Sequence, residues 1–166
     1  SLDNFMKVRE AVDLPLLMKD IIVTKKQLDV APKIGADVIL LIQTLFDLGR
    51  CEHSVEKMIE YAHSKNLQVL LEIHNKEEFE KAIHSKADLI GINNRNLDTF
   101  SVDISTTQTI LESKDKENKI VVSESGIKTA DDVRLLRKAG SDAFIIGTSV
   151  MKSSDITSKV QDLVDA

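Results

Sequence analysis

Six short runs of apolar residues, separated by longer segments of helical period, constrain the fold of this chain more than any other feature. The runs are rich in valine, isoleucine and leucine and do not alternate regularly with polar residues. This pattern is typical of strands buried on both faces of a parallel sheet. No Asn-Gly or Asp-Gly turn joins two of them as a hairpin would require. The predicted strands are Leu16–Met18, Asp37–Ile42, Leu67–Ile73, Asp88–Ile92, Lys119–Val122 and Asp142–Ile146.

The segments between these runs predict helices at the spacing of βα units. In TADDVRLLRKAG, Thr129 is expected to cap the helix and Gly140 to end it. Val133, Leu135 and Leu136 are expected to form its apolar stripe. The predicted helices are Leu2–Ala11, Thr24–Ile34, which Pro32 should kink or shorten, Val55–Ser64, Lys76–Ser85, Thr106–Ser113, Thr129–Lys138 and Asp155–Val164.

A weak internal repeat supports the parallel arrangement. GADVILLI, KADLIGIN and GSDAFIIG each place a small residue and an aspartate ahead of a buried strand. A repeated helix-to-strand connection favours a parallel βα array over an α+β fold. A closed (β/α)8 barrel needs eight strands and about 250 residues. The 166 residues of this chain predict six strands, so they form either a smaller open sheet or part of a barrel.

Composition limits the class of protein. The chain is 42% hydrophobic and 30% charged, which is ordinary for one globular domain, here residues 1–166. The net charge of −5 argues against nucleic acid or an anionic membrane as a partner. The single cysteine excludes an internal disulfide and a cysteine-based metal site. No apolar run approaches the roughly 20 residues of a membrane span, so a cytoplasmic protein is expected.

Reactive or hydrogen-bonding side chains follow most of the predicted strands. Lys19 follows the first strand, and Glu72 lies near the end of the third. Asn93 and Arg95 follow the fourth strand in the segment GINNRNL. The carboxyl ends of the strands of a parallel barrel open onto one face, where these groups are expected to converge on a ligand.

The last two predicted strands each end in a glycine that precedes a helix. SESGI places Gly126, and IGTSV places Gly147, beside hydroxyl side chains. Glycine allows a ligand to approach the backbone, and helix N-termini offer unpaired N–H groups to an anion. The loops after the last two strands of a barrel often hold phosphate. The pattern therefore favours a phosphate site over two ordinary glycine turns.

The segments KDIIV, LLEIHN, GINNRNL, SESGI and FIIGTSVM, in this order and spacing, resemble the indole-3-glycerol-phosphate synthase family of tryptophan biosynthesis. The resemblance covers essentially the whole chain. It implies a (β/α)8 TIM barrel, of which this chain contributes the third to eighth βα units. It also implies a lyase that closes the indole ring of 1-(2-carboxyphenylamino)-1-deoxyribulose 5-phosphate and releases carbon dioxide and water. The implied partner is this small phosphorylated substrate, and neither a cofactor nor a metal is expected.

The resemblance also implies a role for individual residues. Lys19 matches the general acid, whose cation polarises the substrate carbonyl and protonates the departing oxygen, and Glu72 matches the general base of the dehydration. Asn93 would bind the substrate hydroxyls, and Arg95 would pair with both oxygens of the anthranilate carboxylate. The other implied residues are Ser125 (catalytic) and Glu124 (substrate-binding), which would orient their neighbours, and the phosphate ligands Gly126, Ile145, Gly147 and Thr148.

The chain departs from the family pattern mainly at the front of the barrel. Met18 and Ile21 replace the usual arginine and phenylalanine, which is a mild change. No segment matches the first two strands, which in the family carry a glutamate, a second lysine and a serine of the site. We therefore interpret the chain as a fragment with the N-terminal part of the barrel missing.

Two other functions stay open from the sequence. One is a related ribulose-phosphate barrel enzyme such as phosphoribosylanthranilate isomerase, which is expected to use a cysteine and an aspartate and to which Cys51 fits poorly. The other is an inactive phosphate-binding fragment. Sheet edges left open at both ends predict self-association of such a fragment.

Overall fold

The computed structural model describes residues 2–113 and 115–166, and these residues form the α/β fold of the (β/α) TIM-barrel type that the sequence predicts. No helix within these two ranges is long and apolar enough to cross a membrane. The strands are β1 (Leu17–Met18), β2 (Val38–Ile42), β3 (Gln68–Ile73), β4 (Leu89–Asn93), β5 (Ile120–Glu124) and β6 (Ala143–Ile145). The helices are α1 (Leu2–Ala11), α2 (Lys25–Val30), α3 (Gln43–Asp47), α4 (Val55–His63), α5 (Lys76–Ile83), α6 (Ser105–Leu111), α7 (Ala130–Lys138), α8 (Thr148–Met151) and α9 (Ile156–Val164).

The chain divides into two compact units, of which the first extends to Glu72 and includes His84–Leu89. In it, β2 pairs in parallel with β1 and with β3, and the register places Ile42 opposite Glu72. All five residues of β2 are buried, as expected for a strand covered on both faces. α4 buries one apolar stripe at helical spacing, formed by Val55, Met58, Ile59 and Ala62.

The predicted break at Pro32 is confirmed. α2 ends at Val30, and a 3₁₀ turn, Ala31–Ile34, contains the proline. A proline in this turn lacks an N–H group and cannot extend the α-helical ladder. Gly35 then adopts a φ of +82°, and a Cβ atom at this position would lie 2.6 Å from the Cδ of Arg9. The positive φ favours glycine at this position, and a Cβ atom there would have to displace the Arg9 side chain.

The second compact unit comprises Ile73–Ile83 and Ile90–Ala166. β5 and β6 are parallel, with Glu124 opposite Ile145. Thr129 caps α7 as predicted, because its side chain accepts a hydrogen bond from the Asp132 N–H. The apolar stripe of α7 is narrower than predicted, since Leu135 is 41% exposed. One core cluster of this unit is formed by Ile127, Val133, Leu136 and Leu163.

The aspartates of the internal repeat have a common structural role. Each carboxylate accepts a hydrogen bond from a backbone N–H at the start of the preceding strand, and we call this arrangement an aspartate brace. The backbone N–H of each aspartate also donates to the carbonyl of the strand residue whose N–H its carboxylate accepts. Each brace therefore consists of two hydrogen bonds between the same two residues. The carboxylate bonds are Asp37 to Leu16 at 2.7 Å, Asp88 to Val69 at 2.8 Å and Asp142 to Val121 at 2.8 Å.

Each brace carboxylate also contacts a cationic or ionisable side chain. Arg9 Nη1 lies 3.0 Å from Asp37, and His63 Nε2 lies 2.9 Å from Asp88. Burial acts to raise the pKa of Asp142, but hydrogen bonds from Lys116 and from the strand outweigh it and hold that pKa below its usual value. The sequence repeat thus corresponds to three aspartates that each bind the backbone at the start of the preceding strand.

Candidate functional site

Lys19, which follows β1, and Glu72, which lies in β3, form a direct ion pair in the first unit. Lys19 Nζ donates to Glu72 Oε2 at 3.0 Å. The Glu72 side chain is only 3% exposed, whereas that of Lys19 is 41% exposed. The carboxylate is therefore withdrawn from solvent while the ammonium group stays accessible. A buried carboxylate beside a charged partner makes this pair a candidate for a functional site.

The strand register explains why these two residues meet. Glu72 is the penultimate residue of β3, so its side chain leaves an otherwise apolar strand close to the carboxyl end. Lys19 directly follows β1 and reaches the same end of the parallel sheet, since β1 and β3 flank β2. The sequence prediction that the lysine and the glutamate lie together is confirmed for this pair.

Asn93 and Arg95 lie at the end of β4 in the second unit. Asn93 is buried, and its Oδ1 accepts a hydrogen bond from the backbone N–H of Arg95 at 3.0 Å. The Arg95 guanidinium is partly exposed and donates to the Phe100 carbonyl at 3.4 Å. Arg95 also forms a backbone bridge to Val102, which closes the loop between β4 and α6. This loop holds the guanidinium at the strand end, where a planar donor can meet a carboxylate.

Asn94, which lies between Asn93 and Arg95, was not predicted from the sequence as a site residue. Successive residues of a strand end point to opposite faces, and Asn94 turns away from Asn93 toward α6. Its side chain is 2% exposed and is joined to Thr107 and Ser123, which are both 0% exposed. The sequence signal was the doublet of asparagines after an apolar strand, since one asparagine can serve a ligand and the next the scaffold.

Asn94, Thr107 and Ser123 form a closed ring of hydrogen bonds. Asn94 Oδ1 accepts from the Thr107 N–H at 3.1 Å and from Thr107 Oγ1 at 2.8 Å. Asn94 Nδ2 donates to Ser123 Oγ at 3.1 Å. The Thr107 and Ser123 hydroxyls are 2.8 Å apart. Because the Thr107 hydroxyl donates to Asn94, the Ser123 hydroxyl must donate to Thr107.

The turn after β5 has an unusual backbone. Ser125 has a φ of +68° and Gly126 a φ of +83°. A Cβ atom on Gly126 would lie 2.6 Å from Val102 Cγ1. Glycine is therefore required at position 126 by its conformation and by the close approach of the β4–α6 loop. Glu124, the last residue of β5, is 1% exposed.

The second predicted glycine exit differs from the first. Gly147 has a φ of −114°, and a Cβ atom there would meet nothing within 4 Å among the described residues. Gly147 and Thr148 are exposed at the start of α8, and Ile145 is half-buried in β6. The space beside Gly147 is open to a ligand, and its role as a phosphate ligand stays a prediction.

Two of the four histidines, His63 and His74, lie against acidic side chains of the scaffold. His63 contacts Asp88, and the His74 backbone N–H donates to the buried Glu78 at 2.7 Å. Among the described residues, no group of three or more histidine, cysteine, aspartate or glutamate side chains is arranged to hold a metal ion. Cys51 is half-buried, and burial raises the pKa of its thiol.

Parallel strands that alternate with helices, and polar or charged side chains at the carboxyl ends of those strands, define an α/β-barrel protein. The fold is similar to that of 3-hexulose-6-phosphate synthase, with a TM-score of 0.75 at 17% identity over 98% of this chain and 78% of that chain. It is also similar to thiamine phosphate pyrophosphorylase from Pyrococcus furiosus, with a TM-score of 0.68 at 20% identity over 99% of this chain and 76% of that chain.

The model of the indole-3-glycerol phosphate synthase family matches residues 1–163, and the chain belongs to this family. An indole-3-glycerol phosphate synthase of Lachnospira eligens is 37% identical over 173 residues, which cover 100% of this chain and 63% of the relative. That of Staphylococcus saprophyticus is 44% identical over 144 residues, which cover 87% of this chain and 54% of the relative. The chain thus spans about three fifths of the length of the relatives it matches.

Proposed function

We propose that this chain carries the indole-3-glycerol-phosphate synthase activity of its family, or the larger part of the site for it. The reaction closes the pyrrole ring of 1-(2-carboxyphenylamino)-1-deoxyribulose 5-phosphate and releases carbon dioxide and water. The observation that carries the proposal is the 3.0 Å contact between the accessible Lys19 ammonium and the buried Glu72 carboxylate. Family membership supports it further and favours it over the neighbouring isomerase.

Lys19 suits the role of general acid. During ring closure the aromatic carbon that bears the carboxylate attacks the substrate carbonyl, and negative charge develops on the carbonyl oxygen. An ammonium group at that oxygen stabilises the charge and donates a proton to it. The same oxygen later leaves as water, which requires a second proton. An accessible lysine ammonium group at this position is suited to both proton transfers.

Glu72 suits the role of general base. Once carbon dioxide has left, dehydration requires removal of a proton from the carbon next to the departing hydroxyl. The Glu72 side chain is 3% exposed and lies 3.0 Å from the Lys19 ammonium, so its carboxylate has a fixed position next to the proposed acid. Its contact with Lys19 allows acid and base to act on adjacent atoms of one substrate.

The other residues that the family resemblance implies are proposed to bind the substrate. Arg95 would pair with the anthranilate carboxylate and Asn93 would contact the hydroxyls of the sugar chain. Ser125 would act as a further catalytic residue, and Glu124 would orient the substrate and its neighbours. The phosphate would be held by Gly126, Ile145, Gly147 and Thr148, where glycines leave the backbone open to an anion.

Ring closure can be measured directly by the fluorescence of the indole product. We would assay the chain alone and together with the part of the Lachnospira eligens relative that lies outside the matched region. Lys19→Ala and Glu72→Gln should each lower kcat by at least about a hundredfold, as expected for the loss of general acid–base catalysis. Lys26→Ala, an exposed lysine on α2, is the matched control and should leave kcat unchanged.

The outcomes separate the proposed activity from an inactive phosphate-binding fragment. Activity that is lost in Lys19→Ala and kept in Lys26→Ala supports the lyase. An active Lys19→Ala variant would remove this lysine from the mechanism. If the chain is inactive both alone and with the added part of the relative, but binds indole-3-glycerol phosphate, it would instead be a phosphate-binding fragment.

We also propose that the chain self-associates through its outer strands. In the first unit β1 pairs with β2, and in the second β6 pairs with β5, so each has a second edge that a further strand can use. Sedimentation velocity should show dimers or larger species, and a monodisperse monomer would contradict this. A cytoplasmic location without nucleic-acid or membrane partners is proposed from the acidic composition.

A further inference from the structure

We propose that Asn94 is a positioning residue, which holds Ser125 in its left-handed backbone conformation and thereby shapes the turn that meets the substrate phosphate. The carrying observation is the hydrogen bond from Asn94 Nδ2 to the Ser125 carbonyl at 3.0 Å. This inference rests on the proposed function for its consequence in binding. Its structural part, the control of the turn by Asn94, stands independently of that function.

Ser125 needs such support because its backbone is strained. A residue with a Cβ atom at a φ of +68° is disfavoured, and the cost corresponds to a roughly tenfold lower population of the conformation. Serine can adopt this conformation when neighbouring groups fix it. The Asn94 amide supplies a fixed donor to the carbonyl of the strained residue. Gly126, which follows, pays no comparable cost for its positive φ.

The orientation of the Asn94 amide is dictated by its surroundings. The backbone N–H of Thr107 can only donate, so the amide oxygen must face it. The amide nitrogen is thereby directed to Ser123 Oγ and to the Ser125 carbonyl. Because Thr107 lies in α6 and Ser125 follows β5, one buried side chain ties the helix to the turn.

The backbone of Asn94 extends the same control to the loop that carries Arg95. Its N–H donates to the Glu124 carbonyl at 2.9 Å, and its carbonyl accepts from the Asp103 N–H at 3.0 Å. The loop between β4 and α6 thus starts at Asn94 and is hydrogen-bonded to the Asn94 carbonyl again near its end, at Asp103. Side chains of this loop pack next to Gly126. A shift of Asn94 would therefore move the turn and the loop together. This is the reason to expect an effect on substrate binding, beyond an effect on stability.

The test is a double-mutant cycle between Asn94→Ala and Ser125→Gly. The probe is indole-3-glycerol phosphate, the product of the proposed reaction, and its binding is followed by indole fluorescence. Asn94→Ala should weaken binding about tenfold, which is the population cost of the unsupported Ser125 conformation. In the Ser125→Gly background, where glycine accepts a positive φ without that cost, Asn94→Ala should weaken binding less than about threefold.

A loss of stability alone would act equally in both backgrounds, so the difference between them separates positioning from folding. Equal losses in the two backgrounds would overturn the proposal. The backbone conformation of residue 125 is followed in parallel by NMR scalar couplings. If the parent chain binds no product, the proposed function fails, and the couplings still decide whether Asn94→Ala releases Ser125 from its positive φ.

Thr107 provides a second variant in case Asn94→Ala does not fold. Thr107→Val removes the hydroxyl donor to the Asn94 amide oxygen but leaves the backbone donor, whereas Thr107→Ser keeps both. Thr107→Val should loosen the turn and weaken binding in the same direction, and Thr107→Ser should restore both. An unchanged Ser125 conformation in Thr107→Val and in every folded Asn94 variant would contradict the proposal.

Discussion

Replacing Asp88 by alanine should destabilise the chain through one backbone group, the N–H of Val69. The carboxylate accepts from this N–H at 2.8 Å, and Val69 is 0% exposed. Water therefore cannot easily replace the lost acceptor, and an unsatisfied buried N–H costs about 1–3 kcal/mol. Loss of the partly exposed His63 contact adds less than about 1 kcal/mol. We expect a decrease of about 2 kcal/mol in the free energy of unfolding for Asp88→Ala.

Asp88→Asn is the informative partner variant. The asparagine side chain keeps an oxygen for the Val69 N–H but gives up the negative charge, so its cost should stay below about 1 kcal/mol. Urea unfolding followed by circular dichroism gives both values, and Asp162→Ala, on the exposed face of α9, is the control. Equal losses for the alanine and asparagine variants would refute the idea that the brace acts through the backbone bond. The exchange rate of the Val69 amide should rise in Asp88→Ala alone.

Three further predictions concern single sites. Gly126→Ala should cost about 1–2 kcal/mol or more, since it adds a contact at 2.6 Å to the strain of a positive φ, whereas Gly49→Ala, with open space around it, should show the strain alone in urea unfolding. Hydrogen bonds lower the pKa of Asp142 in the folded state, so its contribution to stability is present above the unfolded pKa and lost as the pH falls through the folded pKa. Asp142→Asn should accordingly flatten the acidic limb of unfolding curves measured between pH 2 and 6. Because burial raises the pKa of Cys51, iodoacetamide should modify this thiol more slowly at neutral pH in the folded chain than in urea, as followed by mass spectrometry.

The order and type of the main elements could be predicted from the sequence because the apolar runs are buried on both faces. β2 consists of apolar residues and β3 mostly so; each begins one residue later than predicted and ends at the predicted residue. The prediction ended the fifth strand at Val122, whereas β5 continues to Glu124. Ser123 and Glu124 are polar but buried. The prediction was too short because it ended the strand at the first polar residue. The short helix α3 was not predicted, because five residues carry too little periodicity.

One part of the candidate site could be predicted from the sequence and another part could not. The contact of Lys19 with Glu72 followed from their positions at strand ends, which a parallel sheet brings to one edge. The ring around Asn94 could not be predicted, since it depends on a threonine and a serine that lie 13 and 29 residues further along the chain. Such partners are fixed by the three-dimensional packing of a helix on two strands. No local pattern in the sequence records that packing.

The aspartate braces have a consequence for the order in which this chain is assembled during translation. The three carboxylate bonds join residues separated by 21, 19 and 21 positions. A ribosome adds about 20 residues in roughly one to four seconds, and closing a loop of this length costs less chain entropy than a contact across a longer stretch of sequence. The start of each strand can therefore form its brace once the following helix and the next aspartate have left the ribosome. The next βα unit need not have been synthesised by then. The unpaired start of each new strand would then be exposed to the cell only for the time needed to synthesise a single βα module.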